Sequence, residues 1–184
     1  SSGTVYDYQI DPLINYQGWG LPNLNNSMPQ SFLETEGNRT SSVQFFDQDP
    51  ERAIATSDSV SWNLNISTNG ARAFPLRVSL VWTDPPGNPA AGVKLVNDLD
   101  LVVSNAVSGE VFYGNDFTEV SQFTRMSPSN SVPISDVVNN VENVYINGPL
   151  TTNYVVSVIG RRVNVNTVFG HPDGVVQDFA LVIS

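Results

Sequence analysis

The feature that most constrains the fold is an alternation of apolar and polar residues with a period of two, which begins at about residue 43. In one stretch Val60, Trp62 and Leu64 alternate with Ser61 and Asn63. A period of two puts the apolar side chains on one face of a β-strand. The same pattern returns at residues 76–82, 99–103, 141–146, 154–158 and 179–183. In the range 141–146, Val141, Val144 and Ile146 are expected on the core face. The sequence therefore predicts a series of short strands, each with one face in the core.

Glycine, proline and asparagine separate these stretches, and no convincing amphipathic helix lies between them. Short strands with such punctuation predict an all-β fold, an antiparallel β-sandwich or jelly roll of about eight strands. Residues 1–40 lack this periodicity and predict an irregular N-terminal segment. We therefore expect a domain boundary at about residue 40, with the sandwich spanning 41–184.

The charge balance excludes several classes of partner. Eighteen acidic residues against eight basic ones give a net charge of −10, which disfavours nucleic acid and anionic membranes. Excess carboxylate favours hard divalent cations instead. The absence of cysteine excludes disulfides, thiolate metal sites and cysteine nucleophiles. A surface rich in Asn, Ser and Thr, with only 14% charged residues, is typical of secreted proteins.

The residues needed for hydrolytic catalysis are not assembled in recognisable motifs. A serine triad requires a general base, and His171 is the only histidine. It lies in the sequence Gly170–Gly174, which is typical of a solvated turn between strands. No nucleophile elbow, zinc-protease helix or phosphate-binding loop occurs. The sequence thus predicts neither catalytic nor cofactor-binding residues in this chain.

The stretch around Asp98 is the strongest candidate for a binding site. Asp98 and Asp100 are two apart, so on a strand they project from the same face. Asn97 precedes them, and the loop after the preceding strand can return Asp84 to their side. Carboxylate and amide oxygens suit calcium, so Asp84, Asn97, Asp98 and Asp100 are predicted metal ligands. The structural alternative is that Asp98 and Asp100 cap a loop by accepting backbone N–H bonds.

Two further polar motifs and the tryptophans leave alternatives open. Residues 114–117 and 139–143 are candidate binding loops, although such Asn-rich runs more often form turns. Trp19, Trp62 and Trp82 suggest a platform for sugars. Trp62 and Trp82, however, share the apolar faces of their strands, which favours core packing.

Four motifs in order resemble a known family. They are LVWTDP at 80–85, LVNDLDL at 95–101, YGNDF at 113–117 and NNVENV at 139–144. Together they resemble the C-terminal β-barrel of certain large alkaline subtilisin-like proteases, over residues 40–184. The upstream run GWGLPNL at 18–24 looks like the segment that closes a subtilase catalytic domain. Residues 1–40 are then expected to be the tail of a preceding catalytic domain and a linker.

The resemblance implies a jelly roll related in shape to the P-domain of proprotein convertases, with calcium bound in some members. It also implies a parent enzyme with an Asp-His-Ser triad, whose motifs match no position here. The expected function is that of a non-catalytic accessory domain of a secreted subtilisin-like serine endopeptidase. Such a domain would stabilise or position the catalytic domain of the same polypeptide, or its protein substrate. The alternative is a carbohydrate- or surface-binding β-sandwich module, because a fold does not fix a function.

Overall fold

The computed structural model describes residues 43–47, 49–66, 72–117, 121–128, 130, 132 and 135–184. In these residues the chain forms nine strands and one short 3-10 helix, Pro50–Arg52. The strands, numbered along the chain, are β1 Gln44–Phe46, β2 Ser59–Asn65, β3 Leu76–Val81, β4 Asp98–Asn105, β5 Glu110–Tyr113, β6 Ser127–Pro128, β7 Val141–Ile146, β8 Asn153–Arg162 and β9 Ala180–Ile183.

The strands form two sheets in which every pair is antiparallel. One sheet has the order β1-β9-β3-β7 and the other has the order β2-β8-β4-β5-β6. If the two-residue β6 is left out, each sheet has four strands. Consecutive strands along the chain then lie in different sheets, except for β4 and β5, which pair in the same sheet. This alternation between two sheets is a jelly-roll arrangement. The predicted all-β sandwich is confirmed, and the short strand β6 lies within the segment 118–138.

The core lies between the sheets and is built from the residues that the alternation predicted. On β4, Leu99, Leu101 and Val103 are fully buried, and Val78 and Leu80 of β3 belong to the same buried cluster. The residues between them point away from this cluster, which is why a period of two suffices to specify the inner faces.

The two tryptophans in the described residues belong to this core. Trp82 is 1% exposed, and its indole N–H donates to the carbonyl of Asn97 at 3.0 Å. Trp62 is half-buried, with its ring centroid 5.0 Å from that of Phe46 and 6.2 Å from that of Phe179. Neither ring offers a flat exposed platform for a sugar. Trp19 lies outside the described residues.

The N-terminal domain assignment, residues 1–40, also falls outside the described residues, and the first described strand begins at Gln44. In the part of the chain that the structure describes, no helix is long and apolar enough to cross a membrane.

Candidate functional site

The first three residues of β4 include the two aspartates that the sequence analysis identified, Asp98 and Asp100. Asp98 is 2% exposed and Asp100 is largely buried. The neighbouring strand β8 contains a bulge here, because Asp98 pairs with Arg162 whereas Leu99 pairs with Gly160. The residue left over is Arg161. A bulge commonly redirects a side chain, and this one brings a guanidinium to the aspartates.

Arg161 lies between the two carboxylates. Its Nε is 3.9 Å from Asp98 Oδ2, and its Nη1 is 3.2 Å from Asp100 Oδ2. Ser135 Oγ donates to the same Asp100 oxygen at 3.3 Å and accepts from Arg161 Nη1. Two adjacent carboxylates repel each other unless a positive charge or a proton intervenes. Here the protein supplies the positive charge itself, and Ser135 ties the segment 118–138 to the pair.

Each aspartate keeps one oxygen without a donor. Asp98 Oδ1 and Asp100 Oδ1 are buried and have no hydrogen-bond partner. Burial, and secondly the charge of Asp100, raises the pKa of Asp98 to about 6, although Arg162 and Arg161 act against this. Burial also raises the pKa of Asp100, again against the effect of Arg161. The pair can therefore take up a proton at mildly acidic pH.

A third carboxylate lies on the inner face of β7. The sequence predicted Val141 on the core face with Val144 and Ile146, and this is wrong by one residue: Glu142 occupies the position and is 1% exposed. Glu142 Oε2 accepts the backbone N–H of Leu101 at 2.6 Å, so it joins the two sheets. Its other oxygen, Oε1, has no partner. Burial raises the pKa of Glu142 well above its ordinary value, because a charged carboxylate is poorly solvated there.

The two other polar motifs meet beside Glu142. Asn115 adopts a left-handed backbone conformation with φ of 58°, which asparagine tolerates better than most residues. Its N–H donates to the carbonyl of Asn143 at 2.9 Å, and its side-chain oxygen accepts the N–H of Asn143 at 3.0 Å. Its amide group also donates to Asp136 Oδ2 and to the carbonyl of Val141. Residues 114–117 and 139–143 are thus joined by hydrogen bonds.

Gly114 makes this junction possible, and its replacement by alanine is expected to destabilise the fold. A Cβ at this position would lie 2.1 Å from Glu142 Oε2 and 2.8 Å from Glu142 Cβ. Overpacking of this kind typically costs about 1–3 kcal/mol. Chemical denaturation measures the loss, with Gly92→Ala as the matched control because a Cβ there meets nothing within 4 Å. Equal unfolding midpoints for the two variants would contradict the tight contact.

Stability is expected to increase as the pH falls from 7.5 to 5 in the presence of a chelator. The pKa of Asp98 is about 6 in the folded state against an ordinary 3.8, so the folded state binds more protons in this window. Such a group stabilises the fold fully below the lower value, and the effect is lost as the pH rises through the higher value. The span corresponds to about 3 kcal/mol at most.

Denaturant unfolding at several pH values measures this slope. Asp98→Asn should make it shallower, with the raised pKa values of Asp100 and Glu142 leaving part of it in place. Asp47→Asn, at an exposed position, should leave it unchanged. If the wild-type protein becomes more stable as the pH rises from 5 to 7.5, the pKa shift of Asp98 on folding has the opposite sign.

The other two predicted ligands, Asp84 and Asn97, are engaged in a separate set of hydrogen bonds. Asp84 accepts the N–H of Val96 at 2.9 Å and that of Asn97 at 2.7 Å. Loop capping, which the sequence offered as the alternative for Asp98 and Asp100, is thus the arrangement at Asp84. Asn97 is fully buried. Its Oδ1 accepts the N–H groups of Asn164 and Val165, and its Nδ2 donates to the Val165 carbonyl and to Gln177 Oε1. Asp84 thus fixes the loop that precedes β4. Asn97 fixes the loop that follows β8.

The four predicted residues therefore separate into a capping pair, Asp84 and Asn97, and a carboxylate pair, Asp98 and Asp100. Within the described ranges, no three His, Cys, Asp or Glu side chains are grouped so that they could hold a metal ion. Sequence reasoning missed Arg161 and the inward orientation of Glu142. The inward orientation of Glu142 could have been predicted, because Glu142 lies two residues before Val144 and four before Ile146.

His171 lies far along the chain from these residues, in the turn that the sequence predicted. The expectation that its side chain is solvated is wrong, because that side chain is only 9% exposed. Its Nδ1 accepts the N–H of Asp173 at 3.2 Å and lies 3.7 Å from the Asp173 carboxylate. The open pocket beside it, about 470 Å³, is lined by Pro50, Glu51 and residues 168–173. None of these residues is a serine, threonine or cysteine, so this pocket offers no nucleophile for the imidazole to activate.

Comparison with known proteins relates the chain to parts of much longer ones. It is 34% identical over 112 residues to the serine protease/ABC transporter B family protein tagD of Dictyostelium discoideum, covering 58% of the chain and 6% of that protein. To tagB of the same organism it is 29% identical over 177 residues, covering 88% of the chain and 9% of the relative. To tagA it is 35% identical over 88 residues, or 47% of the chain and 5% of the relative.

The chain thus spans less than a tenth of the length of the relatives that it matches. No protein-family model matches it. The names of these relatives relate the chain to proteins of the serine protease class.

Proposed function

We propose that this chain is a non-catalytic accessory domain of a secreted serine endopeptidase of the subtilisin type, and that it stabilises or positions the catalytic domain of the same polypeptide or its protein substrate. The observation that carries the proposal is the small extent of the similarity in the relatives. It covers only 5–9% of proteins named serine protease/ABC transporter B family proteins, and the described residues of this chain fold as a β-sandwich. The low charge content and the many Asn, Ser and Thr residues support secretion.

The motifs that carry the resemblance support a structural role, because their polar groups bind the protein itself. Trp82 is bonded to Asn97, and Glu142 is bonded to Leu101 across the sandwich. Asn115 is bonded to Asn143 between two loops. Groups engaged in this way rigidify a fold and are not available to attack a peptide bond.

The isolated chain should therefore have no peptidase activity. Pure protein incubated with casein and with a chromogenic peptide should release no product above the buffer blank. Turnover that disappears on His171→Ala would refute the proposal, because it would identify a catalytic base in this chain. Asp58→Asn, a substitution at an exposed position, is the matched control for activity that is lost during preparation of a variant.

Calcium binding, expected from the sequence, is proposed for the carboxylate pair alone. The fit is partial. Asp98 Oδ1 and Asp100 Oδ1 are buried oxygens without donors, which a hard cation would satisfy. Calcium takes six to eight oxygens, so two carboxylates would have to be completed by water, beside the guanidinium of Arg161. Asp84 and Asn97 would act by holding the adjacent loop.

Calcium should raise the melting temperature at pH 7.5, because an ion that binds only the folded state stabilises it. Magnesium should have a smaller effect, since its rigid octahedral shell suits an irregular site poorly. Differential scanning calorimetry with calcium, magnesium and chelator measures both. Asp98→Asn combined with Asp100→Asn should remove the calcium response, and Asp47→Asn should retain it. A wild-type melt that calcium and chelator leave unmoved would refute the metal proposal.

A further inference from the structure

A cavity of about 250 Å³ lies at one end of the sandwich, away from the carboxylate pair and from His171. Its walls come from the turn between β4 and β5, from the loop between β7 and β8, and from residues 123–126, which precede β6. Pockets for complete small molecules usually measure about 300–1,000 Å³. This smaller cavity is therefore suited to one side chain of a partner protein.

Much of the cavity wall is apolar. Phe112 and Ile146 line it and are each 6% exposed, because both belong to the hydrophobic core. Met126 also lines it and is 53% exposed, so apolar surface continues from the buried part of the wall to solvent. A wall of this kind suits the methylene stem of a long side chain, whose charged end then needs a partner of opposite charge.

The carboxylate of Glu110 lines the same cavity. Its Oε2 accepts from the side-chain amide of Asn105 at 3.2 Å and from Ser108 Oγ at 2.7 Å. Within the described residues, its other oxygen, Oε1, has no hydrogen-bond donor, and Glu110 takes part in no ion pair. One oxygen of a negatively charged group is thus available to a ligand.

Asn105 holds this carboxylate in position. Asn105 is 3% exposed, and its Oδ1 accepts two backbone N–H groups of the β4–β5 turn and the hydroxyl of Thr151 at 2.8 Å. The backbone N–H of Thr151 donates in turn to the hydroxyl of Tyr154 at 3.1 Å. These hydrogen bonds exist before any ligand arrives, so binding requires little ordering of the polar groups.

The basic residue nearest in sequence to the cavity wall does not neutralise it. Thr124 and Met126 line the cavity, whereas Arg125 between them does not, and its Nε lies 3.6 Å from the carboxylate of Asp116. The negative charge of Glu110 therefore remains uncompensated, in a chain whose net charge is −10. Such a charge beside aromatic and thioether groups favours a cation on an apolar stem.

We propose that this cavity binds a basic side chain, arginine or lysine, of a partner protein. The stem of that side chain lies against Phe112, Ile146 and Met126, and its charged end donates to Glu110 Oε1. The inference does not depend on the proposed function, because it rests on this cavity alone. In a protease accessory domain, it would favour protein substrates that expose arginine or lysine.

Titration of the nitrogen-15-labelled full chain with two capped tripeptides tests the site by NMR. One peptide has arginine between two glycines, and the other has citrulline there, which keeps the length of the side chain but is neutral. The amide resonances of Asn105, Glu110 and Thr151 should shift. The arginine peptide should bind about fivefold more tightly than the citrulline peptide, as expected for an ion pair with a partly exposed carboxylate.

Glu110→Gln should remove the preference for arginine, and it keeps an oxygen that can accept from Asn105 and Ser108. Glu51→Gln is the matched control, because it removes one negative charge from an exposed position at the other cavity and should retain the preference. Equal binding of both peptides by the wild-type chain, or a preference that survives Glu110→Gln, would overturn the proposal.

A second pair of variants tests the apolar wall. Met126→Ser should weaken the binding of both peptides at least twofold, whereas Val93→Ser, exposed outside the cavity, should not. Shifts centred on residues 168–173 would place the peptides in the other cavity and overturn the proposal. Shifts at Asn105 and Thr151 that methyl glucoside causes and the arginine peptide does not would assign the cavity to a sugar and overturn it as well.

Discussion

Replacing Trp82 with alanine is expected to lower the free energy of unfolding by about 3–5 kcal/mol. Trp82 is among the largest fully buried side chains, and it follows β3 at the point where the core meets the loop before β4. Truncation removes the buried ring and leaves a cavity. It also leaves the carbonyl of Asn97 without the indole N–H that it accepts at 3.0 Å.

Chemical denaturation followed by circular dichroism measures this loss. Phe169→Ala is the matched control, because that aromatic side chain is fully exposed and its removal should change the unfolding midpoint little. An unchanged midpoint for Trp82→Ala would place the indole outside the core and reopen the sugar-binding alternative.

Asn97→Ala is expected to cost about 3 kcal/mol or more, because several buried groups lose their partners together. The backbone N–H groups of Asn164 and Val165 lose their acceptor, and the Val165 carbonyl and Gln177 lose their donor. Gln177 is fully buried, so water does not readily replace the missing amide. The segment from 163 to 177 should loosen together with it.

Asn164→Ala is the control for this variant. Asn164 is exposed and makes one side-chain bond, to the carbonyl of Val96, in the same loop. Its loss should cost much less than that of Asn97 in the same denaturation experiment. If the two variants prove equally stable, the buried amide of Asn97 is not what holds the loops together.

The fold was predictable because the signal for each strand is local. The alternation at residues 60–66 predicts β2, and the alternation at residues 76–82 predicts β3 and the burial of Trp82 just after it. These predictions hold because the side chains of a strand point alternately inward and outward. The order of the strands in each sheet was not predictable in this way, because it depends on pairings between residues far apart in sequence.

The site shows the same limit. The adjacency of Asp98 and Asp100 follows from their spacing, and the structure confirms that both lie at the start of β4. Arg161 lies 61 residues from Asp100 and reaches it only through a bulge in β8, for which the sequence offers no local signal. Asp84 was correctly expected to return to this region, and its two hydrogen bonds are those of a loop cap.

Glu142 illustrates a different reason for error. Its neighbours in the run NNVENV are polar, so the motif looks like a turn, and Val141 is a natural first choice for the core face. The pairing with β3 settles the face, because Glu142 lies opposite Leu80 and Val144 lies opposite Val78. A buried carboxylate that accepts a backbone N–H from the other sheet is a long-range contact, which alternation alone does not reveal.

The heat inactivation of peptidase activity in the complete polypeptide that carries this chain tests the central claim most directly. If the sandwich supports a catalytic domain, Trp82→Ala should lower the temperature at which half of the activity is lost, compared with wild type and with Phe169→Ala. The rate at low temperature should be unchanged in all three, because the sandwich is proposed to contribute no catalytic group. Identical inactivation temperatures, or a low-temperature rate that falls with Trp82→Ala while the sandwich remains folded, would contradict the account.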